Sequence, residues 1–277
     1  MISIFVRELS SAGLSAAQIV SVRSIGAALM LGLPLLCKDY RALRIKWRDC
    51  WCFIGTGIGS IVLFNYCYFA TIQRTSVSVA VILLYTSPLF VTLLSRVLFG
   101  ERLSLRKIIA LAMVFAGCVM VSGVCGGGAR LSTSGLLLGL CAGLTYALYS
   151  IFGRYAQQRG YSATAITFWS FMLAAIAVIF ITPWLSVCHA FANAPHLWLY
   201  LAGLVIISTI LPYCFYTAGL TKLELSAASV IVAVEPVTAT IIGTIFFREP
   251  LTIFIITGIA LVLAALWLLA FSPSTRG

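Results

Sequence analysis

Charged residues divide this 277-residue chain into nine apolar segments, each 19 to 24 residues long. They run over 14–36, 50–70, 77–99, 106–124, 133–154, 162–185, 197–219, 226–247 and 252–271. A helix needs about 20 mostly apolar residues to cross the hydrocarbon core of a bilayer. The chain as a whole is 62% hydrophobic and only 9% charged, too apolar for a water-soluble fold of this length to hide inside itself. The bilayer must therefore act as solvent. Lipid offers no hydrogen-bond partners, so only helices and closed barrels can span it, and the short alternating segments of a barrel do not fit these long runs. The pattern predicts an all-α polytopic membrane protein with nine full transmembrane helices.

The chain also repeats itself. Ser3-Ile4-Phe5, Arg7 and Gly13 recur 147 positions later as Ser150-Ile151-Phe152, Arg154 and Gly160, and Tyr66-Cys67 recurs as Tyr213-Cys214. After a one-residue slip, Ser78, Ala80, Pro88, Glu101 and Leu103 match Ser226, Ala228, Pro236, Glu249 and Leu251 at an offset of 148. Such long-period similarity marks a duplicated unit, with copies over 1–124 and 133–271. Each copy is read as five helices. An odd number makes the second copy enter the membrane from the opposite side, so the copies are inverted, an arrangement that places a substrate near mid-bilayer. In the second copy the helix ending at Arg154 begins near Ser134, and the same offset puts the start of its counterpart before Met1. The expectation is a ten-helix fold with most of its first helix missing; a nine-helix protein is the alternative.

The net charge of +11 reports topology. Thirteen Lys and Arg residues fall on one side of the predicted spans (Lys38 and Arg276 among them), against Arg7, Arg74, Arg130 and Arg248 on the other. The positive-inside bias places the C-terminus in the cytoplasm. Basic residues confined to short loops at the membrane, without an exposed aromatic platform, argue against nucleic acid as a partner. The nine cysteines lie mostly within apolar helices (Cys67, Cys118, Cys141, Cys214) and read as small apolar side chains. Cys50-Trp51-Cys52 lacks a second pair or a His at metal spacing, so no zinc site is implied.

Two motifs carry a family resemblance. Ala80-Val-Ile-Leu-Leu-Tyr-Thr-Ser-Pro88 with Phe99-Gly-Glu101-Arg-Leu103, and its echo Val234-Glu-Pro236 with Phe247-Arg-Glu249-Pro-Leu251, resemble the EamA-type drug/metabolite transporter superfamily. Gly143-Leu-Thr-Tyr-Ala-Leu-Tyr-Ser-Ile-Phe-Gly-Arg154 resembles its bacterial members. The resemblance implies two inverted five-helix copies in a bacterial inner membrane, and a permease that works outward more often than inward. The motifs are strong for family and weak for substrate.

Residue chemistry nominates a site. Arg23 and Glu235 lie mid-span, where a charge is costly and normally faces a cavity or a partner. Arg23 suits an anionic group and Glu235 a proton or Arg23 itself; a structural ion pair, or an Arg23 stem reaching the interface, is the plain alternative. Pro88 and Pro236 each remove a backbone hydrogen bond mid-helix, as a gate, a site wall or a packing kink. Asn65, Tyr66, Tyr85, Tyr146, Tyr149, Trp169 and Tyr213 supply aromatic walls with polar handles for a small amphipathic solute, or ordinary packing. Glu101 and Glu249 stand just before a helix and are expected to cap the helix that follows.

No nucleophile–base pair and no phosphate-cradling loop can be discerned, so neither catalysis, a cofactor nor direct use of ATP is expected. The reading is a secondary transporter of a metabolite, amino acid-like compound or drug, working by alternating access, with that solute and the lipid bilayer as its partners. A homodimer is as compatible with the sequence as a monomer. A membrane-embedded lipid-modifying enzyme and an inactive truncated scaffold are the competing readings.

Overall fold

The computed structural model describes residues 2–38, 43–75, 77–121, 132–235 and 252–270, together with 237, 238, 241 and 244; among them regular structure is helical throughout. Two compact units divide the chain: Met1–Tyr66 with Leu148–Lys222, and Cys67–Ala147 with Leu223–Gly277. Each unit draws on both sequence halves.

In the first unit, α1 (Ile2–Ser11) is followed by α2 (Ala16–Lys38). Gly13 closes α1 with φ +87°, a left-handed conformation that costs a glycine little. Its N–H donates to the Ser10 carbonyl at 3.0 Å, and the Leu14 N–H reaches back to Leu9 at 3.3 Å. Ser15 Oγ then accepts from the Gln18 N–H while Gln18 Oε1 accepts from the Ser15 N–H, a reciprocal cap on α2. The same construction recurs 147 positions on. Two residues past the end of α8 (Thr133–Gln158) stands Gly160, also at φ +87°, and the Tyr161 N–H returns to the Ala156 carbonyl. Ser162 Oγ caps α9 (Ala163–Ile179) by accepting from the Ala165 N–H.

The helices α2 and α9 start at positions 147 apart, yet they pack antiparallel. The Thr182 hydroxyl, just past the end of α9, is hydrogen-bonded to the Ser21 hydroxyl at 2.7 Å near the start of α2. Farther on, Gly32 of α2 faces the Phe168 ring near the start of α9. The chain next enters α10 (Trp184–Asn193), turned 107° from α9. The apolar run 162–185 is thus broken where the sequence suggested one straight span. Pro183 is the cause: it lacks an N–H and disfavours the helical conformation at Thr182. Thr182 Oγ1 donates to the Val178 carbonyl and Trp184 Nε1 to that of Ile179, so the carbonyls freed by the break are satisfied. Leu9, Leu14, Ile19 and Val22 pack with Val187, Phe191, Leu197 and Leu204 into one core of this unit.

A second irregularity is a pair of π-helical stretches, Gly55–Val62 after α3 (Cys50–Ile54), and Ile206–Ile210 after α11 (Leu197–Val205). They lead into α4 (Leu63–Arg74) and α12 (Leu211–Gly219). Single π turns are uncommon and cluster at functional sites.

In the second unit, α5 (Val77–Leu84) and α6 (Ser87–Phe99) are separated by a turn at Tyr85 and Thr86, with Pro88 in the first turn of α6. The expected kink is therefore a break, and Thr86 Oγ1 donates to the Leu83 carbonyl at 2.6 Å across it. α7 (Leu105–Val121) packs on α14 (Ile253–Ala270) through Ala110, Leu111, Val114 and Cys118 against Val262 and Ala265. Glu101 does not cap α7, the helix that follows it. Its Oε1 accepts the Leu225 N–H at 2.7 Å and its Oε2 the Ser226 N–H and hydroxyl, so it caps α13 (Leu225–Val232) from 124 residues away. Glu249 lies outside the described residues.

Among the described residues, five helices are long and apolar enough to cross a bilayer: Ala16–Cys37, Trp47–Arg74, Val79–Phe99, Thr133–Gln158 and Leu197–Gly219; α9 with α10 makes a sixth if the bent pair counts as one. The remaining expected spans appear there only as the 17-residue α7, the 8-residue α13 and the 18-residue α14.

Replacing Glu101 by Gln removes a charge-assisted cap and should cost about 1–2 kcal/mol, read as a lower melting temperature in detergent. Adding a methyl at Gly143 would bring it to 2.9 Å from the Leu83 backbone carbonyl, which has little freedom to yield. Gly143→Ala should cost about 1–3 kcal/mol in the same measurement, while Gly219→Ala, which meets nothing within 4 Å, should not.

Candidate functional site

The nominated residues divide between the units. In the first, Arg23 sits part-buried on α2, and its Nε is buried with no hydrogen-bond partner. The neighbouring Ser24 hydroxyl is likewise buried without a partner. A guanidinium N–H and a hydroxyl left unpaired inside a membrane helix are costly, and an anionic group would satisfy them. Asn65 has a structural role: its Nδ2 donates to the Ile61 carbonyl at 2.6 Å, at the exit of the π-helical stretch. Tyr66 is 69% exposed on the outside of its helix.

Tyr149 and Tyr213 do come together. Their rings meet edge to face at 5.0 Å, Tyr213 meets Phe171 at 4.9 Å, and the Tyr149 hydroxyl bonds Thr217 Oγ1 at 2.9 Å. Tyr149 is 5% exposed, and Ala27, Ile61, Phe171 and Val205 share its cluster. These two tyrosines belong to a packed core. Trp169 ties α9 to the segment ahead of α3 by donating from Nε1 to the Leu43 carbonyl at 3.1 Å. At this end of the unit Asp49 receives Arg159 Nε at 2.9 Å and the Tyr161 hydroxyl at 2.8 Å, while Arg159 stacks over the Trp51 ring. Burial pushes the Tyr161 phenol up, and its hydrogen bonds to Asp49 and the Lys46 N–H anchor it.

In the second unit the structure gathers Tyr85, Tyr146 and Glu235. The Glu235 carboxylate lies within electrostatic reach of Tyr85 and of Tyr68, and Tyr85 in turn lies near Tyr146 and Cys118. Tyr68 carries no signal in the sequence that marks it for the site. It stands two residues past Tyr66, which turns it to a different face of the same helix. Tyr85 forms the turn between α5 and α6, and Pro88 is buried in the next turn. Glu235 is exposed just beyond the end of α13, two residues past Ala233. Pro236 lies outside the described residues. Phenol donors around a carboxylate at a helix break can hold a proton or a cationic group. Among the described residues no group of three or more His, Cys, Asp or Glu could hold a metal ion.

Comparison with known proteins decides the family. The model of the EamA-like transporter family matches residues 1–123 and 133–271. The chain belongs to this family. It is 29% identical over 208 residues to an uncharacterized transporter of Archaeoglobus fulgidus, covering 74% of this chain and 72% of that one. It is 26% identical over 258 residues to the uncharacterized transporter YxxF of Bacillus subtilis, covering 89% and 80%. It is 27% identical over 245 residues to the threonine/homoserine exporter RhtA of Salmonella typhimurium, covering 86% and 77%. A solved crystal structure shares the fold at a TM-score of 0.75 and 19% identity, over 96% of this chain and 91% of that one. This EamA-family chain is a multi-pass membrane protein of a transporter family.

If Tyr149 serves packing, Tyr149→Phe leaves the Thr217 hydroxyl unpaired and should lower stability by about 1 kcal/mol, seen as a small fall in melting temperature, with solute binding unchanged.

Proposed function

We propose that this protein is a secondary transporter that carries a small organic solute, of amino acid-like type, outward across the bacterial inner membrane by alternating access. Family membership and the relatives' names support transport, and the name of the Salmonella typhimurium relative, a threonine/homoserine exporter, supports the direction and the solute class. The C-terminus is read as cytoplasmic from the charge bias. Copies over 1–124 and 133–271 are read as inverted repeats, a reading favoured by the recurrent Gly13 and Gly160 caps and by the antiparallel packing of α2 on α9.

The observation that carries the mechanism is the Arg23 Nε, buried within α2 without a hydrogen-bond partner. Arg23 has an unsatisfied Nε and suits a carboxylate; Glu235, beside Tyr68 and Tyr85, suits a proton or an ammonium group. A membrane-embedded enzyme is less well supported, because the described residues bring no nucleophile and base together.

Counterflow of labelled threonine or homoserine in liposomes tests the reading. Saturable uptake is expected, with Arg23→Gln weakening apparent affinity at least roughly tenfold, the worth of one charge-assisted hydrogen bond. Glu235→Gln should make the rate independent of pH across the range where a carboxyl titrates. No counterflow of any amino acid from the folded protein, or an unchanged pH profile in the Gln variant, would contradict the respective assignments.

A further inference from the structure

The segment ahead of α3 is fastened to the first unit on one side and open on the other. Trp169 holds the Leu43 carbonyl, and the Tyr161 hydroxyl accepts the Lys46 N–H at 3.0 Å while donating to Asp49 at 2.8 Å. Ile45 turns inward and packs on the core of Cys52, Phe53, Ala156 and Ile166. The next three residues, Lys46, Trp47 and Arg48, are all exposed, and Trp47 is 90% exposed. Trp47 begins a 3-10 turn, Trp47–Asp49, that opens the apolar span Trp47–Arg74, so it stands where hydrocarbon gives way to water. An indole suits that level, having an apolar ring and a polar N–H. Asp49 is spent on Arg159 and Tyr161, whereas neither Lys46 nor Arg48 has an ion-pair partner among the described residues.

We propose that Lys46, Trp47 and Arg48 form a site for the headgroup of an anionic phospholipid, with the two cations on the phosphate and the indole along the glycerol and upper acyl chain. Charge complementarity selects this occupant. The turn carries two uncompensated positive charges beside one large apolar ring, and a zwitterionic headgroup would bring a cation of its own against them. Each cation near an anionic membrane surface adds attraction that salt screens. The fixed backbone separates this site from a basic tail that follows any anionic surface. Hydrogen bonds at Leu43, Lys46 and Asp49 order the segment before lipid arrives, so little ordering entropy is lost on binding. The inference rests on membrane embedding and not on the solute or the direction of transport.

The test uses the full chain in nanodiscs of equimolar phosphatidylglycerol and phosphatidylcholine, with retained lipids counted by native mass spectrometry. Phosphatidylglycerol should be retained in preference, and Lys46→Gln combined with Arg48→Gln should weaken its retention roughly fivefold for each charge removed. Arg102→Gln combined with Arg106→Gln removes the same charge from exposed positions of the second unit and should leave retention unchanged. All four side chains are exposed, so melting temperatures in phosphatidylcholine nanodiscs should match the parent chain and separate loss of the site from loss of the fold. Trp47 gives a second readout. The emission difference between the parent chain and Trp47→Phe should be quenched more by brominated phosphatidylglycerol than by brominated phosphatidylcholine. Equal retention of the two lipids, equal losses in the two double variants, or equal quenching would overturn the proposal. None of these readouts requires transport, so failure of the carrier reading and failure of this one are distinguishable.

Discussion

Every backbone N–H and C=O that leaves the regular helical ladder inside a bilayer needs a partner from the protein, because lipid supplies none. That requirement organises this structure. At the π-helical stretch 55–62, Asn65 takes up the Ile61 carbonyl and Thr56 that of Phe53. At the second stretch Thr209 reaches five residues back to Leu204. Thr86 bridges the α5–α6 turn, and Thr182 with Trp184 closes the end of α9. Arg154 and Gln157 satisfy carbonyls of Leu220 and Thr217 at the end of α12, and Glu101 takes the free N–H groups of α13. Irregular backbone appears where a short polar side chain stands ready to compensate it.

The same rule separates structural polar residues from candidate functional ones. Asn65, Thr86 and Tyr149 have partners that account for their burial. Arg23 Nε and the Ser24 hydroxyl are buried without one. Glu235 differs again: it is exposed, with tyrosine phenols near its carboxylate. Of the aromatic residues named from the sequence, Tyr149 and Tyr213 are spent on packing, and Tyr85 remains within electrostatic reach of Glu235.

Legibility tracks locality. The Gly13 and Gly160 caps and the serines that follow them are readable, since capping chemistry lies within a few residues and repeats in register. A distortion near Pro88 is readable for the same reason, but as a mid-helix kink; that it breaks the span into two helices is not. The turn at Thr182-Pro183 is masked because the apolar run continues through it and outweighs one proline. The π-helical stretches leave no local signature, being defined by hydrogen-bond register rather than residue type. The partner of Glu101 is hidden because it lies 124 residues away. Nothing local distinguishes Tyr68 from Tyr66, because a helix apolar all round does not reveal which face meets a charge.

The central claim is that two copies of one helical pattern traverse the membrane in opposite senses. Single cysteines placed at Ser11 and at Gln158, which precede the matched caps, test it most directly when labelled in intact cells with a membrane-impermeant maleimide. The account predicts that the Ser11 position labels from outside and the Gln158 position only after the membrane is opened. Labelling of both from the same side would contradict it.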